Sequence, residues 1–111
     1  YSGDITYYTI GLGACGYDDS GKDDSANIVA IADPDWERVS TLTNSGPNSP
    51  THPWCDKTIT IKAPNGKSTT AIVHDKCPSC ASGSIDVSEK VFITLFGSLG
   101  VGRTEMTWSF N

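Results

Sequence analysis

Four cysteines in 111 residues constrain this chain more than any other feature of it. A chain of that length buries one modest core and folds alone with little margin, so crosslinks weigh heavily in its stability. Four cysteines allow three pairings. Cys77-Pro78-Ser79-Cys80 is near enough to close on itself, which leaves Cys15 with Cys55. The longer bridge would close a loop of about forty residues, worth roughly 4 kcal/mol on the chain-entropy model. Two other uses compete. The spacing of His52-x-x-Cys55 with Cys77-x-x-Cys80 suits a structural zinc site but strands Cys15 as a free thiol. A redox-active Cys-x-x-Cys wants a helix starting at its first cysteine, whereas Ala81-Ser82-Gly83-Ser84 reads as loop.

An even number of cysteines in a short chain suggests an oxidising compartment. The chain opens on Tyr1 with no charged-then-apolar leader, the look of a secreted product after removal of its signal peptide. No apolar run approaches a membrane span. With 37% hydrophobic and 19% charged residues the composition is globular, and residues 1–111 read as a single domain. The formal net charge of −5 argues against a nucleic acid, an anionic polysaccharide or an anionic membrane surface as partner. A neutral glycan or a protein fits better.

Local patterning is β-rich. Residues 4–10, rich in Tyr and Thr, predict a first strand, which Gly11, Gly13 and Gly16 end. Residues 18–25 hold four aspartates at spacings wrong for an EF-hand and read as a solvated loop. A short apolar strand over 27–32 precedes Asp33 as N-cap and Pro34 at the first helical position. Residues 40–53 predict a long surface loop. Alternation over 57–62, then Asn65-Gly66, then 68–73 predicts a hairpin with a type I′ turn. Residues 85–89 lead into Val91, Phe92, Leu95 and Phe96, one face of a helix that Gly97 and Gly100 end. In a last strand over 105–110, Met106, Trp108 and Phe110 share one face and read as core. Six short strands without βαβ repetition predict a mainly β fold, a small closed barrel with one or two short helices.

Several ordered motifs carry a resemblance: Gly3-Asp4-Ile5-Thr6-Tyr7-Tyr8, Gly13-Ala14-Cys15-Gly16, His74-Asp75-Lys76-Cys77-Pro78-Ser79-Cys80, Ile85-Asp86-Val87-Ser88, Val101-Gly102-Arg103 and Thr107-Trp108-Ser109-Phe110. Together they span nearly the whole chain and resemble the six-stranded double-psi β-barrel family. Within it the chain is most similar to fungal loosenins and rare-lipoprotein-A-like proteins, relatives of expansins, barwin and family-45 glycoside hydrolases. The resemblance implies a polysaccharide groove floored by Thr6, Tyr7 or Tyr8, Asp75 and Asp86, with Asp86 as counterpart of the hydrolases' general acid. Cys15–Cys55 agrees with a bridge of barwin-like relatives. The region Ala32-Asp33-Pro34-Asp35-Trp36 departs from the His-Phe-Asp-like element of many loosenins, so that part of the groove is altered.

The chemistry is consistent with this. Two carboxylates and a hydroxyl accept hydrogen bonds from sugar hydroxyls, and a carboxyl desolvated beside another is raised in pKa, which suits a proton donor. Inverting hydrolysis needs a second carboxyl about 6.5–9.5 Å away to activate water. The resemblance to the hydrolases places that base just after the first-strand tyrosines, where Thr9 and Ile10 stand, neither able to take a proton. Acid without base is the mark of a non-hydrolytic wall loosener that binds a neutral glycan of cellulose or chitin type. Trp36 and Trp54 are candidates for stacking on sugar rings, or for burial under the long loop. His74 reads as a structural neighbour of the groove. Outside the resemblance, Asp86 and Glu89 outline a capping box, with Ser88 as another cap. No metal or cofactor is implied, and a monomer is expected. Two other functions stay open. One is a protein-binding module, such as a papain-like cysteine-protease inhibitor or secreted effector, using an exposed loop. The other is a lytic glycan-cleaving enzyme with Asp86 as acid.

Overall fold

The computed structural model describes residues 1–11, 13–22, 25–37, 54–101 and 104–111. The expected loop at 40–53, His52, and Gly102-Arg103 of the quoted motifs lie outside them. The elements run β1 (Ser2–Tyr8), β2 (Ile28–Ala32), α1 (Asp33–Glu37), β3 (Thr58–Lys62), β4 (Ser68–Cys77), β5 (Ile85–Ser88), α2 (Glu89–Phe96), a 3₁₀ turn (Leu99–Val101) and β6 (Thr104–Phe110). The strands close into a barrel in the order β1-β5-β2-β4-β3-β6. Pairs β1–β5 and β2–β4 are parallel, the others antiparallel. A parallel pair needs a crossover connection, so the chain crosses over itself and is not a simple meander. The fold is a mainly β, double-psi barrel with two short helices.

Alternation drives the closure. Ile5, Val29, Ile31, Ile59, Ile61, Val73, Ile85 and Val87 point inward and are fully buried. Phe92 and Leu95 of α2 and Trp108 of β6 pack on the same core. β1 starts and stops two residues earlier than its composition predicts. Its last rung is Tyr8↔Ser88, and β5 turns into α2 after Ser88, so Thr9 and Ile10 have no strand to pair with. The 64–67 turn is not type I′. Among the described non-glycine residues Asp56 takes a positive φ, and Asn65 does not. Instead the Gly66 N–H donates to Ala63 O, the Ala63 N–H donates to Lys67 O, and Gly66 sits at φ 88°, a three-residue loop with a bulge glycine.

Ser88 occupies the N-cap of α2 without a side-chain capping bond. Its hydroxyl donates to Ala26 O at 2.7 Å and accepts from the Ile28 N–H at 3.2 Å, tying the helix start to β2. Asp86, outlined as a capping-box residue, is instead a β5 rung.

Both disulfides form as the cysteine spacing indicates, Cys15–Cys55 and Cys77–Cys80. With all four sulfurs bonded to sulfur, neither the zinc site nor a stranded Cys15 thiol survives. The Cys15→Ala/Cys55→Ala double variant is expected to lose about 4 kcal/mol of unfolding free energy, given the 40-residue separation it releases. Urea unfolding beside the wild type checks this, and an unchanged midpoint would contradict it.

Candidate functional site

One rung of the barrel gathers the expected polar residues. Thr6 on β1 lies opposite Asp86 on β5, Asp86 opposite Ala30 on β2, and Ala30 opposite Asp75 on β4. Paired residues share a face, and the neighbours Ile5, Val29 and Val87 point into the core, so this rung faces outward. Ala30, with only a methyl group, forms its floor between the two aspartates. The result is a polar rung, called the trough below, that runs across four strands with half-buried Thr6, Asp75 and Asp86 along it.

Strict alternation would not place Asp75 there. Val73 is buried, so two residues on, Asp75 should also point inward. The register shifts: Val29 faces Val73 but Ala30 faces Asp75, leaving His74 as an extra residue in β4. This bulge turns the carboxylate outward, a known use of bulges beside functional sites. β4 runs four residues past the predicted 68–73 strand because Asp75, Lys76 and Cys77 pair with β2 beyond the bulge. The loop at 13–16 holds the bulge. The Cys15 N–H donates to His74 O at 3.1 Å and the Ala14 N–H to Asp75 Oδ1 at 2.9 Å. Gly13 permits this approach, since a Cβ there would lie 2.4 Å from His74 O.

The hydrogen bonds assign each group a state. The Thr6 hydroxyl donates to Asp86 Oδ1 at 2.9 Å. Asp75 Oδ1 accepts from two backbone amides, Ala14 and Lys76 at 2.8 Å, while its Oδ2 faces the Tyr8 hydroxyl at 3.5 Å. Burial pushes the Tyr8 phenol well above its ordinary 10.0, and the charges of Asp75, Asp86 and Asp19 add to the effect. Tyr8 therefore remains a proton-bearing donor at the trough wall.

Beside it lies a second polar cluster. His74 Nδ1 is 2.8 Å from Asp19 Oδ2, its Nε2 is 3.7 Å from Asp56 Oδ1, and its ring stacks on Tyr17 at 4.1 Å. A hydrogen bond to Asp56 leads the causes that raise the Tyr17 phenol. His74 thus acts as a structural neighbour of the trough, clamped between acids. Asp19, only 5% exposed, comes from the stretch expected to be solvated loop. Nothing in its sequence neighbourhood distinguishes it from Asp18, which instead caps a turn through the Ser20 N–H. Asp35 is a second buried acid of structural type, accepting from Ser82 Oγ and the Gly83 N–H at 2.6 Å each.

The structure bears on three aromatic alternatives. Tyr7 alternates to the core side, its ring 5.0 Å from Phe92, and Tyr8 alone of the pair faces the trough. Trp36 is 8% exposed and belongs to the core, because α1 folds it back onto the barrel. Trp54 is half-buried, with its ring tilted against Phe110 on β6, the strand across the barrel from β2. Trp36 is therefore no platform for a sugar, whereas Trp54 keeps part of its surface exposed. Among the described residues no group of three His, Cys, Asp or Glu side chains could hold a metal ion.

A closed six-stranded double-psi barrel with an outward rung of carboxylates defines the class of this protein. No family model matches the chain. It is 35% identical over 113 residues to the papain inhibitor of Streptomyces mobaraensis, a match covering 98% of this chain and 70% of the inhibitor. The solved Streptomyces papain inhibitor superposes with a TM-score of 0.78 at 34% identity, covering 99% of this chain and 92% of that one. The chain belongs to the family of that inhibitor. An Asp f 7 allergen homolog of Arthroderma benhamiae is 38% identical over 96 residues, 85% of this chain but 28% of the allergen, so the chain spans under a third of that relative. The expansin of Clavibacter michiganensis shares the fold, with a TM-score of 0.70 at 22% identity over 99% of this chain and 49% of the expansin.

Two outcomes test this geometry. Because native Tyr8 holds its proton beyond the pH at which the unfolded phenol releases it, its contribution is intact below 10.0 and lost as pH rises above that value. Tyr8→Phe is expected to flatten the alkaline loss of stability between about pH 9 and 12, read from urea midpoints. Gly13→Ala is expected to cost about 1–3 kcal/mol by overpacking against the bulge. It should also shift the Ala14 amide resonance as the Asp75 bond breaks, and an unmoved resonance would deny the loop its buttressing role.

Proposed function

We propose that this is a loosenin-like, expansin-like protein that binds a neutral cell-wall polysaccharide in the trough and loosens it without hydrolysis. The rung Thr6–Asp86–Ala30–Asp75 carries this reading, because it lays acceptors in a line across an open face with a small residue as floor. Sugar hydroxyls donate to the carboxylates and to the Tyr8 oxygen, whose own proton is directed at Asp75 Oδ2. The expansin of Clavibacter michiganensis has been solved with cellohexaose, which supports a cellulose-type ligand for a barrel of this shape.

The same geometry argues against cleavage. Asp86 takes the acid-like place, yet Asp75 has one oxygen committed to two backbone amides. After β1, Thr9 carries no base and Ile10 is buried. A carboxylate that already accepts several bonds is a poor activator of water. Two disulfides suit an oxidising, extracellular setting.

A second reading rests on kinship with the papain inhibitor: a barrel that blocks a papain-like cysteine protease. One set of measurements separates the readings. Pull-down on cellulose and chitin is expected to retain the wild type, with Asp86→Asn weakening binding about ten- to hundred-fold, the range for one hydrogen bond to a charged group. No soluble reducing sugar should appear; release abolished by Asp86→Asn would replace loosening with cleavage. Stoichiometric inhibition of papain without glycan retention would establish the second reading in place of the first.

A further inference from the structure

The barrel carries a concave surface on the strands that adjoin the trough at β1 and continue round to β3. Two hollows of about 510 and 410 Å³ lie over the outer faces of β1, β6 and β3. Both are lined by Ser2, Lys62 and Thr107, so they join into one furrow along β6. In the closed order β6 is the strand opposite β2, which floors the trough. The lining follows from alternation: Ile59, Ile61, Met106 and Trp108 point into the core, so Thr60, Lys62, Thr107 and Ser109 point out. Ser2 pairs with Thr107, Thr107 with Lys62, and Ser109 with Thr60, so hydroxyls stand on β1 and β6 in one rung and on β6 and β3 in the next, where the Thr60 hydroxyl donates to Asn111 Oδ1. Asp4 and Glu105 close one end. At the other end the Tyr1 ring, 52% exposed, lies flat on buried Trp108 with centroids 4.2 Å apart.

We propose that this furrow is a second polysaccharide site, taking a neutral, hydroxyl-bearing glycan chain along β6, so that one barrel holds two chains. Hydroxyls donate and accept alike, which matches a ligand built of hydroxyls. Lys62 adds a donor, and Asp4 and Glu105 add acceptors. Other occupants fit worse. Polyanions meet Asp4, Glu105 and a chain of net charge −5. A peptide adding as a strand needs a free sheet edge, and the closed barrel offers none. An amphipathic helix needs an apolar groove, yet the exposed aliphatics Ile72 and Ile93 lie outside the furrow.

The furrow stands independently of the trough, and one experiment reads both. The isotopically labelled chain is titrated with cellohexaose and with chitohexaose while backbone amide resonances are followed. Two groups of shifts are expected, one around Thr6, Asp75 and Asp86, the other around Ser2, Lys62, Thr107 and Ser109. Lys62→Ala/Thr107→Val should weaken the second group at least tenfold and spare the first; Asp86→Asn should do the reverse. Shifts confined to the trough overturn the furrow and leave the trough reading standing. Shifts confined to the furrow do the opposite, and silence with both sugars overturns both. Furrow shifts on adding dextran sulfate or papain, but not either hexasaccharide, would overturn the ligand class proposed here. The wild-type titration decides without any variant, so a misfolded mutant cannot obscure the result.

Discussion

The extra residue at His74 is the constraint on which the site depends. A strand of a closed barrel has no choice about alternation: each inward side chain fixes the facing of every other residue. With Val73 locked in the core, Asp75 reaches the outer face because β4 spends one residue without a partner on β2. That interruption leaves His74 O and its neighbours in need of partners, and the 13–16 loop supplies them through the Cys15 and Ala14 amides. The loop is in turn pinned by the Cys15–Cys55 bridge and by Gly13, which lets the two backbones touch. A crosslink that looks purely stabilising in the sequence therefore also aims a carboxylate.

How much of this the sequence reveals depends on the range of the interaction. Short-range patterns read well: a continuous apolar run marks β2, alternation marks β3 and β6, the spacing of Val91, Phe92 and Leu95 marks α2, and the Cys-x-x-Cys spacing marks the short bridge. Strand ends read poorly, because β1 stops where β5 becomes a helix, a fact located eighty residues away. The rung itself is invisible to periodicity. Thr6, Asp75 and Asp86 come together only through parallel pairing and a register shift, and family resemblance supplied them where local chemistry could not. Tyr7 and Tyr8 illustrate the limit. Adjacent and alike, they differ only in which one shares a face with Ile5. Trp36 and Asp19 fail for a related reason, since a loop or short helix carries no period that tells an inward side chain from an outward one.

The electrostatics of the site favour an uncharged occupant. Asp19, Asp56, Asp75 and Asp86 crowd around Tyr8 and His74, and the chain as a whole carries a net charge of −5. Their mutual repulsion is relieved by fixed donors: Thr6 on Asp86, two amides on Asp75, the imidazole on Asp19. An anion entering the trough would meet these carboxylates and the chain's net charge of −5. A neutral hydroxylated chain meets no such repulsion, since it brings weak donors and leaves each carboxylate still hydrogen-bonded. Such a ligand exchanges water for sugar hydroxyl at nearly equal free energy, so grip comes from many small contacts along a length and not from one strong anchor.

Kinship with a papain inhibitor and likeness to an expansin are compatible on this scaffold, because a barrel fixes strands while leaving its two outer faces and its loops to vary separately. A standard protein–protein contact covers roughly 800 Å² on each partner. Laid over the trough it would bury Asp75 and Asp86, and carboxylates stripped of water cost several kcal/mol unless the partner supplies cations or amides at matching positions. A protease without such a basic patch would therefore be held elsewhere on the barrel. Glycan in the trough and protein on another surface do not compete for the same atoms. A family can thus keep the bulge, the bridge and the outward rung while individual members diverge in what they hold.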